Sequence, residues 1–316
     1  MVRYLLGRAA AAVFVLWAAF TLSFGMLYLL PGNPVDIKVG GLEQAAADPA
    51  QVEKLRAQLG LDGPWWQQYG QALWRALHGD FGTSIQTGAP VTKMILDALP
   101  STLSITSAGL ALALVLGSGI ALTATYTRWR PIRRMLLSVP ALTISFPPFW
   151  VGLMLIHLVA FQWRALPSIG NRGFSSIVLP AITIALPTSA LIAQVLAKSL
   201  RSAMAAPYID TARAKGAGQA RLVFRHALRN AALPPMAVAG LIVGSLLVEA
   251  VTVETVFSRA GVGRLTATAV ANQDTPVVLG VVVYSALLFV SINLLVDLLS
   301  LMIDPRVRRR EEELSG

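Results

Sequence analysis

The chain has 316 residues, of which 55% are hydrophobic and 13% are charged, and its mean hydropathy is +0.63. A soluble domain usually carries about 25% charged residues, so this composition excludes an ordinary water-soluble protein and predicts a membrane protein. The net charge of +10 does not indicate nucleic-acid binding, because the basic residues lie mostly between apolar segments, and the absence of cysteine excludes disulfides and thiolate sites.

Apolar segments in six places are long enough to cross a hydrocarbon core of ~30 Å, which requires about 20 helical residues. We predict spans at about 9–30, 101–126, 135–161, 177–197, 234–256 and 276–303. The first run is too long for a signal-peptide core and is followed by Pro31-Gly32-Asn33-Pro34, so we expect an uncleaved anchor. The predicted fold is an all-α integral membrane protein with six transmembrane helices.

The third predicted span is the least regular, because it contains Pro140, Pro147 and Pro148. Proline removes a backbone donor and clashes with the preceding turn, so we expect a kink or break in this segment. Such breaks are tolerated at membrane depth where protein or a water-filled cavity covers them. We therefore expect this segment to face the bundle or the pore rather than lipid.

The basic residues predict the orientation of the chain. They concentrate before the first span, between spans two and three, between spans four and five, and after the sixth span. Cytoplasmic loops carry excess Lys and Arg near the membrane, so both termini are predicted to be cytoplasmic. Residues 31–100, between the first two spans, carry more acidic than basic residues, which suits an external domain.

Within this external domain, Asp48 and Pro49 are predicted to open a helix through 51–59 that Gly60 ends. Four aromatic residues follow, Trp65, Trp66, Tyr69 and Trp74. They suit a platform for a partner or an aromatic belt at the membrane interface. They also suit the core of a small helical cap, which is the interpretation that we favour.

The segment 207–234 predicts a bent pair of helices. Pro207 suits a first helical turn, Tyr208–Lys215 forms two turns, and Gly216 ends them because glycine accepts a positive φ. A second helix is predicted to begin near Gln219. Its apolar positions are Leu222, Val223, Ala227 and Leu228, and Arg221, Arg225 and Arg229 lie between them at i, i+4 spacing. This pattern suits either a rigid elbow that contacts another protein or a basic cytoplasmic loop.

This segment resembles the coupling signature of ABC importer permeases, in which an acid and two small residues precede a glycine. The matching residues are Asp210, Thr211, Ala212 and Gly216. The acid is Asp rather than Glu, Thr replaces one Ala, and the closing Leu233-Pro234 lies later than in the shortest form. The longer pattern, from Thr211 to Asn230, is similar to the dipeptide/oligopeptide/nickel permease subfamily.

Other motifs along the chain carry the same resemblance. They are Arg3-Tyr4, Leu30 to Pro34, Leu59 to Asp62, Gln68-Tyr69, Gly79 to Gly82, Val253 to Phe257, Gly261 to Leu265, Asn293 to Asp297 and Asp304 to Arg306. Together they favour the first of the two permeases of such systems, which bears a large external loop. We therefore predict an N-terminus and first span at 1–30, an external domain at 31–100, a permease core at 101–303 with a coupling region at 207–230, and a cytoplasmic tail at 304–316.

The resemblance implies that this subunit is not an enzyme and binds no cofactor itself. Partner ATPases would bind ATP and Mg²⁺, and the chain lacks the glycine-rich run that such phosphate sites require. The implied partners are a second permease, two ATPase subunits or domains, an external binding protein and the lipid bilayer of a bacterial cell membrane. The implied ATPase-coupling residues are Pro207, Tyr208, Ile209, Asp210, Thr211, Ala212, Arg213, Ala214, Lys215 and Gly216.

Polar residues inside the spans have two interpretations, because a charge in the membrane must face a partner or water. Glu249, Glu254 and His157 are candidates for the lining or gate of a path that accepts a peptide ammonium group. The alternative is interhelical pairing, for Glu254 with Arg259 or Arg264. Asp297, which lies with Asn293 in the inner half of the sixth span, is assigned to such pairing, and the three histidines form no cluster suited to binding nickel directly.

Peptide import is the predicted function. The alternatives are the same importer class carrying nickel chelates or another small solute, and a secondary transporter that works alone. The last alternative is disfavoured because the two halves show no convincing repeat and the spans lack paired carboxylates. A membrane-embedded enzyme would need a nucleophile–base pair or a metal cluster, which the chain does not clearly offer.

Overall fold

The computed structural model describes residues 2–29, 64–171, 173–232, 234–235 and 239–303, and most of them are helical. In chain order the helices are α1 (Val2–Leu29), α2 (Trp65–Leu77), α3 (Val91–Tyr126), α4 (Arg130–Ser145), α5 (Pro148–Leu155), the π-helix π1 (Ile156–Gln162), α6 (Ser175–Met204), α7 (Pro207–Ala214), the π-helix π2 (Arg221–Ala227), α8 (Leu228–Ala231), α9 (Ala239–Val256), α10 (Val262–Ala271) and α11 (Thr275–Ile303). The predicted all-α fold class is confirmed for the described residues.

Membrane-length helices account for most of the predicted spans. Among the described residues, α1, α3, α6 and α11 are each long and apolar enough to cross a membrane, and the pair α4 and α5–π1 makes a fifth if it is one bent span. The helix α9 covers residues 239–256 of the predicted span at 234–256. The count of six spans stays a prediction.

Several helices run beyond their predicted limits, most of all α3. The helix α3 begins at Val91 rather than at Ser101, and α6 continues past Ala197 to Met204. With 36 residues at 1.5 Å each, α3 is about 54 Å long, which exceeds a hydrocarbon core of ~30 Å. Its first turns therefore belong to the region that the sequence assigned to the external domain.

The predicted break in the third span is confirmed. The axes of α4 and of α5–π1 differ by 97°, and the break lies at Phe146 and Pro147, both with extended backbone angles. A residue that precedes proline is pushed away from the helical region, and Phe146 and Pro147 each precede a proline. Pro140, by contrast, stays inside α4 and is buried.

The chain divides into two compact units, of which one comprises residues 101–260 and 291–316. Within this unit α6 is the central helix, because α4, α5 and α9 all pack against it. Its largest buried cluster includes Ile105, Ile184 and Phe257. The helix α3 approaches α6 closely at Gly117, where a Cβ atom would lie 2.6 Å from the carbonyl oxygen of Ser189.

The other unit comprises residues 1–100 and 261–290. Its apolar cluster joins the start of α3 to α10 and α11 through Phe81, Val91, Ile95, Val262, Ala269, Val277 and Val281. A buried carboxylate reinforces this packing: Asp274 accepts hydrogen bonds from Ser84 Oγ (2.5 Å) and from the N–H of Ile85 (3.1 Å). Asp274 thereby fastens the loop before α3 to the turn before α11.

The predictions for the external domain have mixed outcomes. The helix predicted at 51–59, with Asp48 and Gly60 at its ends, lies outside the described residues. The favoured interpretation of the aromatic cluster as a helical core is wrong for its tryptophans, because Trp65, Trp66 and Trp74 are 55%, 58% and 66% exposed. Only Tyr69 is partly buried, because α2 packs along one side only.

Candidate coupling site and buried polar groups

The segment Pro207–Ala231, which we call the elbow, has the bent shape that the sequence predicted. Pro207 opens α7 after the extended Ala206, and Gly216 has a φ of +80° just past the end of the helix. The N–H of Gly216 donates to the Arg213 carbonyl (2.9 Å) and the N–H of Ala217 to the Ala212 carbonyl (3.1 Å). This pair of bonds is a Schellman motif, which requires a left-handed residue at the glycine position.

A single large side chain fastens α7 to the rest of its unit. Ile209 is fully buried and lies in a cluster with Leu200 at the end of α6 and with Leu222 on π2. Ala212 and Ala217 pack against the same cluster. The elbow therefore continues the end of α6 as a packed extension rather than as a free loop.

The opposite side of α7 is open. Pro207, Tyr208, Asp210, Thr211, Arg213, Ala214, Lys215 and Gly216 are all exposed. Asp210 and Arg213 form an ion pair of 2.9 Å in which both side chains remain more than half exposed. A surface pair of this kind contributes about 0–1 kcal/mol, so α7 does not depend on it for stability. Of the ten predicted coupling residues, only Ile209 is buried, and Ala212 is half-buried.

The second arm of the elbow also has the predicted two faces. Leu222, Val223 and Ala227 are buried, whereas Arg221, Arg225 and Arg229 are exposed. The arm is not a continuous α-helix, because 221–227 is π-helical and only Leu228–Ala231 is α-helical. Both parts pack against α6, and π2 also packs against α7.

The three candidate path residues lie in different settings. Glu254 has no exposed surface and accepts a hydrogen bond of 2.6 Å from the hydroxyl of Thr102 on α3. Glu249, on the same helix, is half-buried, and its Oε2 atom is buried without a hydrogen-bond partner in the part of the chain that the structure describes. His157 is exposed on π1, with its Nε2 atom 3.2 Å from the side-chain nitrogen of Gln162.

Arg259, a buried cation, lies near Glu254. From the sequence, Arg259 was only one of two alternative partners of Glu254. Arg259 is 2% exposed, and its Nη1 donates to the carbonyls of Gly170 (3.0 Å) and Ser176 (2.9 Å). Burial lowers the pKa of the Arg259 guanidinium, and the charge of Glu254 raises it again. The burial of both groups favours the structural interpretation of Glu254 over a role in the path.

The described residues thus form mostly long apolar helices, together with an elbow that is packed on one side and open on the other. Residues 109–309 match the family described as "Binding-protein-dependent transport system inner membrane component", and residues 1–106 match the N-terminal family of the same systems. The chain belongs to this family of membrane components. Its predicted resemblance to ABC importer permeases is therefore confirmed.

Curated relatives cover almost the whole chain. The dipeptide transport system permease protein DppB of Escherichia coli K12 is 32% identical, over 98% of this chain and 100% of the relative. A putative peptide transport system permease protein of Brucella abortus is 34% identical, over 98% and 99%. The glutathione transport system permease protein GsiC of Escherichia coli O1:K1 is 32% identical over the same shares.

Solved structures share the fold. A chain of the inward-facing MetNI methionine ABC transporter, in the CY5 SeMet soak crystal form, matches with a TM-score of 0.57 at 17% identity. The match covers 67% of this chain and 96% of that chain. The CY5 native crystal form gives a TM-score of 0.54 at 18% identity. At this identity the likeness concerns the fold alone.

Proposed function

We propose that this chain is one of two permease subunits of an ATP-driven importer of short peptides. A second, related permease would complete the translocation path, and an external binding protein would deliver the peptide. The relatives that support this cargo are named as permeases for dipeptides, peptides and glutathione, which is itself a small peptide. Membership of a binding-protein-dependent family favours this importer over a secondary transporter that works alone.

The observation that carries the proposal is the elbow, which is fixed on one side and open on the other. Ile209 packs it onto the end of α6, while the exposed side of Tyr208–Gly216 is free to enter a groove on an ATPase subunit. Two ATPase subunits, which bind ATP and Mg²⁺, would then move the elbows of both permeases. ATP would shift the equilibrium between two arrangements of the complex because it binds one arrangement more tightly than the other.

The proposed orientation places the elbow and both termini in the cytoplasm. The exposed Arg221, Arg225 and Arg229 support this orientation, because basic residues concentrate on the cytoplasmic side of short membrane loops. The tail at 304–316, which lies outside the described residues, would be on the same side. The loop fastened by Asp274 would then be on the external face, where the binding protein docks.

Gly216→Pro tests the coupling role. Proline fixes φ near −65° and has no N–H, so it cannot adopt the φ of +80° or donate to Arg213. We expect the wild-type chain, purified in mild detergent with its complex, to retain a second permease and two ATPases, and the Gly216→Pro chain to lose the ATPases.

Gly218→Ala is the matched control, because a Cβ atom meets open space at both glycines but only Gly216 has a positive φ. This control is expected to retain the ATPases. A wild-type chain that purifies alone, or a Gly216→Pro complex with its full complement of ATPases, would contradict the proposal.

Glu249 is the residue that we propose to meet the ammonium group of the peptide, with His157 further along the path. Glu249 is half-buried, and its Oε2 has no hydrogen-bond partner among the described residues, which supports this role because a carboxylate in a membrane helix needs a counter-charge or water.

Glu249→Gln is expected to raise the KM for dipeptide uptake about tenfold, which corresponds to ~1.4 kcal/mol, and to leave the complex as heat-stable as the wild type. An N-acetylated dipeptide, which has no ammonium group, should not distinguish the two proteins. Glu254→Gln is the control on the same helix and should lower stability instead. An unchanged KM for the free dipeptide would remove Glu249 from the path.

A further inference from the structure

The helix α2 presents three kinds of surface along its length. Tyr69, Leu73 and Ala76 are half-buried against the rest of the unit. Viewed along the helix axis, with ~100° between successive residues, the exposed Trp66, Leu77 and Trp74 lie next to this half-buried side, within an arc of about 80°. The next arc, beyond Trp74, holds the exposed polar residues Gln67, Gln71 and Arg75. We call these two arcs the apolar flank and the polar flank.

The apolar flank is too large and too exposed to be ordinary protein surface in water. Trp66 is 58% exposed, Trp74 is 66% exposed and Leu77 is 73% exposed. Two indole rings and a leucine along one side of a 13-residue helix are a contiguous apolar patch, and such patches mark contact with protein or membrane.

The position of α2 beside α1 distinguishes between contact with a protein and contact with the membrane. The Tyr69 hydroxyl forms a hydrogen bond of 2.8 Å with Thr21, and its ring lies 5.7 Å from Phe20 and 5.4 Å from Phe24. The apolar stretch of α1 extends from Gly7 to Met26. Because the apolar run continues in the sequence to Leu30, Thr21 lies nine residues, or about 14 Å, inside its end. The tyrosine of α2 therefore reaches into the level of the hydrocarbon core.

A helix at this level lies at the boundary between headgroups and acyl chains. Amphipathic helices in that plane bury their apolar face by about 5–10 Å, and the long Tyr69 side chain reaches further, to the level of Thr21. Tryptophan is the side chain that membrane interfaces enrich, because its ring is apolar and its N–H is polar. The surrounding surface is already membrane-facing, because only 6% of the apolar stretch of α1 is buried within the chain.

We propose that α2 is an interfacial helix whose apolar flank, Trp66, Trp74 and Leu77, lies in the lipid of the outer leaflet, while its polar flank faces water. The helix would fix the depth of the external domain relative to the first span. This inference depends on membership of the membrane family, on the contacts of α2 and on the proposed orientation, and it does not depend on the cargo or on the coupling role of the elbow.

Spin labels on the two flanks test the proposal directly. The chain has no cysteine, so Leu77→Cys and Gln71→Cys each create a single labelling site, and both side chains are exposed. The labelled chain would be assembled with cysteine-free partner subunits and placed in lipid nanodiscs. Power-saturation spectra would then compare collisions with oxygen, which concentrates in lipid, and with a water-soluble nickel chelate.

We expect the label at Leu77 to collide with oxygen several-fold more than with the chelate, and the label at Gln71 to show the reverse preference. Strong collisions of both labels with the chelate would show that the apolar flank faces water and would overturn the proposal. A Leu77 label that is immobilised and shielded from both reagents would also overturn it, because a protein partner would then cover the flank.

Discussion

Ile209→Asp is expected to abolish ATP-driven uptake while the chain remains in the membrane. Ile209 has no exposed surface and packs between the end of α6 and π2. An unpaired carboxylate in this position costs several kcal/mol, and the burial of the isoleucine, about 1.5–3 kcal/mol, is lost as well. The aspartate becomes hydrated only if α7 leaves its cluster, and a detached α7 cannot transmit motion to α6.

Initial rates of dipeptide uptake in cells, normalised to the amount of chain in the membrane, measure this effect. We expect Ile209→Asp to lower the rate roughly 100-fold, which corresponds to ~2.7 kcal/mol. The ATPases should still hydrolyse ATP, since no residue of this chain is proposed to bind the nucleotide.

Two controls separate detachment of the elbow from a simple change of side chain. Ile209→Val removes one methylene group, which costs about 0.5–1.5 kcal/mol, and should transport nearly normally. Ala220→Asp adds the same carboxylate at an exposed position just before π2, where a helix tolerates negative charge, and should also transport. Uptake at the wild-type rate by Ile209→Asp would refute the role of this residue as the anchor.

The sequence predicted the ends of α7 because the signals for them are local. Pro207 and Gly216 constrain their own backbone angles, and their effect does not depend on distant parts of the chain. The role of Ile209 was not singled out from its neighbours in the motif. Its contacts with Leu200 and Leu222 come from two other elements, although it is the largest aliphatic side chain of α7.

Hydropathy predicted where the long apolar helices lie better than it predicted their ends. A long apolar run predicts a span because every backbone group must be satisfied inside lipid, which a helix achieves by itself. Hydropathy does not detect the part of a helix that extends beyond the membrane into water. The second span was predicted to begin at Ser101, yet α3 already includes Lys93, Asp97 and Pro100, because Val91 and Ile95 pack against α10 and α11.

The aromatic cluster shows a second kind of information that the sequence alone does not contain. The spacing of Trp66, Trp74 and Leu77 places them along one side of a helix, but a pattern does not state what covers that side. The contact of Tyr69 with Thr21 supplies the missing information, because it fixes the depth of α2 along α1. Thr21 and Tyr69 are 48 positions apart in the sequence, so only the folded structure brings them together and distinguishes a protein core from a membrane interface.

The buried charges near the end of α9 lead to the second prediction with a large effect. Arg259→Met and Glu254→Gln are each expected to lower the melting temperature of the purified complex by about 10 °C. The charge of Glu254 acts on the buried Arg259 guanidinium, and removing one member of a buried pair of charges costs about 3–5 kcal/mol, where each kcal/mol corresponds to ~2–4 °C. In addition, Arg259→Met removes the donor to Gly170 and Ser176.

The double variant Arg259→Met, Glu254→Gln distinguishes this pairing from independent effects on packing. Because both charges are then absent, we expect it to be more stable than the sum of the single variants by about 1–3 kcal/mol. Arg164→Met, at an exposed arginine, should change the melting temperature by less than ~2 °C. Strict additivity of the two single variants would show that Glu254 and Arg259 do not stabilise one another. The alternative that the sequence left open, a pairing of Glu254 with Arg264, would then be the next to test.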